Sequence, residues 1–322
     1  MTIFFTLLKK VWRHIVSIYI TLFLPKLGVD YFYTNYTEAK EAYLQKRDSY
    51  NYKAYLMKDW ENNTNVIEEY FLNSFSYSFL RHPLLKSTMF AHLPNKAKTI
   101  QIDLLKTYFS TSKLREILEE SLIGSPILND LKNKTSGNSI HHLYHLVKFA
   151  KELDIKIENL NSFIELGGGY GNMAKLVKKI NPNATYTIID IPIFSYIQYV
   201  YLSTLLGTDQ VIILNKNQAI IPNKINLVPF DESLEQGGAL SISAPDVFLS
   251  TWALSESNIA TQALVRNNNY FSAKYLILAY QKTNDSFEFS QEVTNLSSSY
   301  TTKYNSVTDY LADNFYLFAE MK

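Results

Sequence analysis

Phe163-Ile164-Glu165-Leu166-Gly167-Gly168-Gly169-Tyr170-Gly171-Asn172, followed by Thr185-Tyr186-Thr187-Ile188-Ile189-Asp190, decides the fold. In order, this is a short apolar strand, a glycine turn, a helix and a second apolar strand that ends on a carboxylate. That is the βαβ unit with which a doubly wound sheet holds a nucleoside cofactor.

The spacing of the glycines separates the cofactor classes. A dinucleotide fingerprint, G-x-G-x-x-G, counted from Gly167 and Gly169 puts its third glycine at Asn172, and counted from Gly168 puts its second at Tyr170. A phosphate-binding G-x-x-x-x-G-K-[ST] loop counted from Gly167 also meets Asn172. The pattern that fits is acid-x-G-x-G-x-G, with Glu165, Gly167, Gly169 and Gly171 in place. It resembles the first motif of class I S-adenosylmethionine-dependent methyltransferases. Such a loop lets backbone approach the methionine and ribose parts of the cofactor, where a Cβ would push the ligand away. Asp190, 19 residues beyond Gly171, stands near the interval expected of an acid that accepts from ribose hydroxyls.

Strands expected at 162–166, 185–190, 225–228, 246–251 and 275–280 alternate with helices, and 211–214 and 314–319 read as further short strands. Alternation of this kind implies a doubly wound, Rossmann-like, mostly parallel sheet with its site at the strands' carboxyl ends. Upstream, residues 31–131 read as helical and charged, broken by Pro83, Pro94 and Gly124-Ser125-Pro126. We therefore expect an all-helical N-terminal domain over 1–135 and a cofactor-binding domain over 136–322. A helix from about Ile140 to Leu153 opens the second, capped by Asn138 or Ser139.

Composition narrows the function. The 322 residues carry a net charge of +1, which gives no field to gather a polyanion, so nucleic acid is not an expected partner. With no Cys there is no disulfide, thiolate nucleophile or Cys-based metal site, which fits a reducing, cytoplasmic setting. The 24 Tyr and 19 Phe serve packing first and can also line a pocket for sugar rings. Residues 2–24 form an amphipathic pattern, with Lys9, Lys10 and Arg13 interrupting any uniform apolar span. That helix suits packing on its own domain or a second subunit, in a homo-oligomer, or peripheral contact with the inner membrane surface.

Two stretches carry candidate chemistry. Ile140-His141-His142-Leu143-Tyr144-His145 holds three of the six histidines, with His141 and His145 on one helical face. The pair lacks the Glu of H-E-x-x-H and an evident third ligand, so no metal is expected; a catalytic or acceptor-binding role and ordinary packing both remain open. Ser250-Thr251-Trp252-Ala253-Leu254-Ser255-Glu256 follows the fourth strand, where cofactor and acceptor should meet. Glu256 suits a base or a hydroxyl-orienting acceptor, Trp252 a packing surface for acceptor or cofactor, and Thr251 a cofactor contact. This stretch lacks the [DN]-P-P-[YF] of enzymes that methylate base nitrogens and the Asp of metal-dependent catechol-type enzymes, which favours metal-free oxygen methylation.

Taken together, Asn138 to His145, Glu165 to Asn172, Ile188 to Tyr196 and Ser250 to Glu256 are similar to the sugar O-methyltransferase family of bacteria, over about residues 135–281. The resemblance implies S-adenosylmethionine as cofactor and a sugar, nucleotide-sugar or glycan precursor in surface-polysaccharide biosynthesis as acceptor. It implies cofactor contacts from Glu165, Gly167, Gly169, Gly171 and Asp190, packing of Ile191 on adenine, and Asp231 or its neighbour Phe230 beside the adenine amine. His141, His142, His145 or Glu256 would act as base, with Asn138, Tyr144 and Trp252 toward the acceptor. A nicotinamide-dependent oxidoreductase, or a non-catalytic scaffold in a glycan assembly complex, are the competing classes; Asn172 counts against the first and the intact loop against the second.

Overall fold

The computed structural model describes residues 11, 28–90, 94–130, 134–236, 244–281, 283–284, 287–308 and 313–322. The amphipathic helix expected over 2–24 lies, but for Val11, outside them.

Eight strands form the central sheet: β1 (Ser162–Leu166), β2 (Thr185–Asp190), β3 (Val211–Ile213), β4 (Ile225–Pro229), β5 (Val247–Thr251), β6 (Tyr275–Gln281), β7 (Tyr300–Val307) and β8 (Asn314–Met321). Their order is β7-β8-β6-β5-β1-β2-β4-β3. Neighbours from β3 across to β6 pair in parallel, and β8 runs antiparallel to both β6 and β7. The doubly wound, Rossmann-like sheet expected from the sequence is therefore present, with one reversed strand slotted in before the edge.

Strand alternation explains the two cores. Successive side chains of a strand point to opposite faces, and here Phe163, Tyr186, Ile188 and Leu249 bury into one cluster while Ile164, Leu166, Ile189 and Phe248 bury into another. The first face is covered by α6 (Gly137–Glu152), α7 (Asn172–Ile180) and α8 (Pro192–Leu206). In α7 the apolar residues Met173, Leu176, Val177 and Ile180 recur at helical spacing and are all buried. Each contributes roughly 1.5–3 kcal/mol of burial. α8 starts with Pro192 at its first turn and is apolar nearly all round, because it lies between the sheet and the N-terminal helices.

Those helices are α1 (Val29–Lys46), α2 (Lys58–Asn73), α3 (Pro83–Met89), α4 (Asn95–Tyr108) and α5 (Thr111–Leu118). Phe32, Phe71 and Phe79 join Tyr196 and Tyr201 of α8 in one continuous core. The other face is covered by α9 (Ile259–Asn267), by Tyr270 and Phe271 and by Tyr52 and Tyr55 of the N-terminal region. α10 spans Phe289–Leu296.

Three local expectations change. The polar stretch before α6 carries a short antiparallel hairpin, Leu128–Asp130 with Thr135–Ser136. The cap of α6 is Ser136, whose hydroxyl accepts from Ser139 N at 3.0 Å, rather than Asn138 or Ser139. Strand β7 was not foreseen, since Thr301, Thr302 and Lys303 are exposed on an edge strand and give no apolar alternation.

Candidate active site

The strand order reverses at β1, which has β2 on one side and β5 on the other, and a crevice outside the carboxyl ends is expected there. A cavity of about 450 Å³ occupies it, lined by the ends of β1, β2 and β5, by Phe230 just past β4, by the glycine turn and by α6. That volume is within the range of small-molecule sites, roughly 300–1,000 Å³.

The turn begins where Gly167 donates its N–H to Ile189 O at 2.9 Å. Gly167 has φ +77°, and a Cβ there would lie 2.2 Å from that of Ala253. Its glycine is demanded by that packing as much as by any ligand. Gly168 and Gly169 line the cavity, and Gly169, at φ +58°, meets only Met89 at ordinary contact distance. Gly171, by contrast, is not among the lining residues. It caps α7 at φ +91°, and a Cβ there would meet Leu202 at 2.8 Å, so the turn and its packing both require a glycine.

Asp190 ends β2 beneath the turn. Its Oδ2 accepts from Gly169 N at 3.1 Å and Gln198 Nε2 at 2.8 Å, and its Oδ1 from Ile191 N at 2.8 Å. Burial pushes its carboxyl up to about 7 against these hydrogen bonds. Glu165 is fully enclosed, accepts from Tyr186 OH at 2.8 Å and is raised by burial to about 8. Ile191 and Phe230 add an apolar wall. Gln198, which braces both Gly169 O and Asp190, was not anticipated; it is the one amide side chain in a helix whose other polar side chains are hydroxyls, and that is the signal that marks it.

Asp231 proves not to face the cavity. Its carboxylate accepts from Asn51 N at 2.8 Å and Ser233 N at 3.0 Å and pairs with Lys216 at 3.1 Å, so it fastens the N-terminal region to the end of β4. Phe230 lines the cavity in its stead.

The opposite wall comes from α6 and the segment after β5. Asn138, His141 and His142 share one face of α6 and line the cavity. His145, a turn further on, is fully buried outside it, with Nδ1 2.5 Å from Tyr316 OH and its ring 4.2 Å from that of His141. Tyr144 is likewise core, packed near Tyr316 and absent from the lining. Neither lines the cavity: both are buried beside Tyr316 of β8.

Burial holds His141 and His145 well below the usual histidine range, and burial with the Lys175 charge brings His142 down to about 4. All three rings are neutral at physiological pH. His141 Nδ1 lies 3.0 Å from Gln101 Nε2, and His142 Nδ1 lies 3.2 Å from the Asn172 amide. Asn138 Nδ2 donates to Tyr170 OH at 3.1 Å.

Trp252 lines the cavity at φ +68°, an uncommon conformation for a bulky residue that costs of order 1–3 kcal/mol. It is held by its own N–H to Ala279 O at 2.6 Å and by Nε1 to Asn314 Oδ1 at 2.6 Å, and it stacks on His141 at 5.8 Å. Thr251 and Glu256 line the same side. Burial raises the Glu256 carboxyl, against a hydrogen bond from Trp60. Trp60, Tyr52, Tyr55 and Phe90 bring the N-terminal region into the cavity wall, a contribution the sequence reading did not assign. Trp60 is one of only three tryptophans, and that scarcity was the available signal.

Among the described residues no group of His, Asp and Glu is arranged to hold a metal ion, and no helix is long and apolar enough to cross a membrane.

No protein-family model matches the sequence, and no curated protein matches it. Among solved structures the chain is similar to magnesium protoporphyrin IX methyltransferase of Synechocystis with bound SAM, at 15% identity over 72% of this chain and 100% of that one, TM-score 0.40. It is similar to the mitomycin 7-O-methyltransferase MmcR at 10% identity, 70% and 67% coverage and TM-score 0.38. A third is an O-methyltransferase family protein of Burkholderia thailandensis, at 11% identity, 70% of each chain and TM-score 0.39. Likenesses this distant leave the functional assignment to the geometry of the cavity itself.

Proposed function

We propose that this chain is an S-adenosylmethionine-dependent O-methyltransferase whose acceptor is a sugar hydroxyl, on a nucleotide sugar or a glycan precursor. The observation that carries the reading is a single cavity with two unlike walls: the glycine turn with Asp190 on one, and the neutral histidines with Glu256 on the other.

The first wall fits the cofactor by its donor set. Asp190 is an acceptor for ribose hydroxyls, the backbone of Gly167 to Gly169 admits the methionine portion, and Ile191 with Phe230 offers an apolar surface to adenine. Bound there, the cofactor would supply a sulfonium methyl for in-line transfer to an oxygen. The second wall needs only to align that oxygen, receive its proton and exclude water. Trp60, Trp252 and Phe90 suit the C–H faces of a sugar ring, while Gln281, Asn314 and Glu256 suit its hydroxyls. A nicotinamide cofactor is disfavoured by Asn172 where its turn requires a third glycine.

The test is to incubate the protein with methyl-labelled cofactor and a panel of nucleotide sugars and to follow one added methyl by mass spectrometry. Transfer to phenols but to no sugar would overturn the acceptor class. Thermal stabilisation by NAD and not by S-adenosylhomocysteine would overturn the whole reading.

A further inference from the structure

Behind the histidine wall lies a buried polar network. The Lys175 ammonium is 2.7 Å from Glu120 Oε2, with side chains only 1% and 2% exposed. Glu120 Oε1 is 2.5 Å from the hydroxyls of both Ser136 and Ser139. Ser139 Oγ is also 3.2 Å from Lys175 Nζ and 3.1 Å from the amide atom of Asn172 placed as Oδ1, while the atom placed as Nδ2 is 3.2 Å from His142 Nδ1.

Counting protons gives these contacts a direction. Burial alone would raise Glu120, but Lys175 and the serine hydroxyls bring it below its usual value, so it is ionised and only accepts. Lysine only donates. Ser139 has one proton, and its 2.5 Å contact to the carboxylate claims it. Toward Asn172, Ser139 is therefore an acceptor, and the amide end facing it must be the NH₂. The two ends of an amide are told apart by such networks and not by shape. Turning the amide end for end to meet that requirement puts Nδ2 toward Ser139 and Oδ1 toward His142, where it accepts from Nδ1–H.

We infer that Asn172 is a positioning residue that fixes His142 as its Nδ1–H tautomer, leaving Nε2 as the acceptor that receives the substrate hydroxyl's proton. As the O–CH₃ bond forms, the O–H pair stays on oxygen, the proton passes to Nε2, and the S–CH₃ pair returns to the cofactor's sulfur; the imidazolium then releases its proton to water. At His141 and His145 the groups beside Nδ1, the Gln101 amide and the Tyr316 hydroxyl, can each donate or accept, so those two contacts do not set a tautomer. The inference rests on the methyl-transfer reading for the source of the proton, but the ring's tautomer can be measured without any acceptor.

The experiment is a long-range ¹⁵N–¹H correlation spectrum of the histidine rings at neutral pH, with His142 identified by its loss in His142→Gln. A protonated Nδ1 and bare Nε2 is expected in the wild type, shifting toward the Nε2–H form in Ser139→Ala, which removes the group that orients Asn172. A His142 that carries its proton on Nε2, or on both nitrogens, overturns the inference. In methyl-transfer assays Asn172→Ala should lower kcat at least about tenfold, with cofactor KM within about twofold. Equal kcat in wild type and Asn172→Ala overturns it as well, whereas a correct tautomer with no methyl transfer overturns only the proposed function.

Discussion

Cofactor binding should be linked to pH through Asp190. In the unliganded protein burial holds its carboxyl at about 7, and ribose hydroxyls donate more strongly to the ionised form, which offers its full set of acceptor sites, than to the protonated form, which gives up part of that capacity to its own O–H. Binding therefore favours the carboxylate and expels a proton. With a free-state value near 7, about a tenth of molecules are ionised at about pH 6 and about nine tenths at about pH 8. Affinity for S-adenosylhomocysteine should thus rise roughly tenfold over that interval, about 1.4 kcal/mol. Titration calorimetry at about pH 7 in two buffers of different ionisation enthalpy should show about half a proton released per ligand. Asp190→Asn should abolish the pH dependence and weaken binding by about 1.5–3 kcal/mol, the range for a lost charge-assisted hydrogen bond. Affinity that is flat between those pH values, or an Asn variant that binds as tightly as the wild type, would refute the assignment.

Other consequences follow from the same geometry. Because Asp190 and Glu165 are raised to about 7 and about 8, the stability they contribute is fully present below their ordinary values and is lost as pH rises from there through about 7 and about 8. The unliganded protein should melt at lower temperature at about pH 8 than at about pH 5, and saturating S-adenosylhomocysteine should flatten that difference. Gly167→Ala puts a Cβ 2.2 Å from that of Ala253 at φ +77°, so cofactor binding should be lost by calorimetry; adding Ala253→Gly should restore part of it, leaving about 1–2 kcal/mol of backbone strain. Lys175→Met strands the Glu120 carboxylate in the core, and denaturant titration should show a loss of about 3–5 kcal/mol, much of it recovered when Glu120→Gln is added. Trp60→Phe removes the donor to Glu256, so the Glu256 carboxyl should move further up; the pH–rate profile should shift while S-adenosylhomocysteine affinity stays unchanged.

The sheet and its cofactor end were legible because they follow short-range rules. Buried parallel strands read as apolar runs, and a positive-φ turn reads as glycine. What stayed hidden depends on where a face ends up after packing. His141 and His145 do share a side of α6, but that side passes from the cavity at Asn138 and His141 into the core at His145, where Tyr316 from β8 closes over it. Periodicity sets the face of a helix and not its depth. Asp231 sat at the expected strand end, yet a backbone N–H arriving from Asn51, 180 positions earlier, claimed its carboxylate. Strand β7 escaped because an exposed edge strand has no apolar alternation to show.

If the cavity takes S-adenosylmethionine as proposed, the charges around it must suit a cation. A sulfonium in an apolar cavity is repelled by any unpaired positive group nearby, and this wall contains His141 and His142, with His145 and Lys175 behind them. Burial removes the charge from the rings, and Glu120 neutralises Lys175 within the same buried network. Asn172 is the hinge of that arrangement. At the position where a dinucleotide turn would need glycine, its side chain joins Ser139, which Lys175 and Glu120 hold, to His142 on the other side. A glycine there would leave the turn intact but sever that connection. The residue that sets the cofactor class aside is thus also the one through which the glycine turn and the proton-accepting wall are built as a unit.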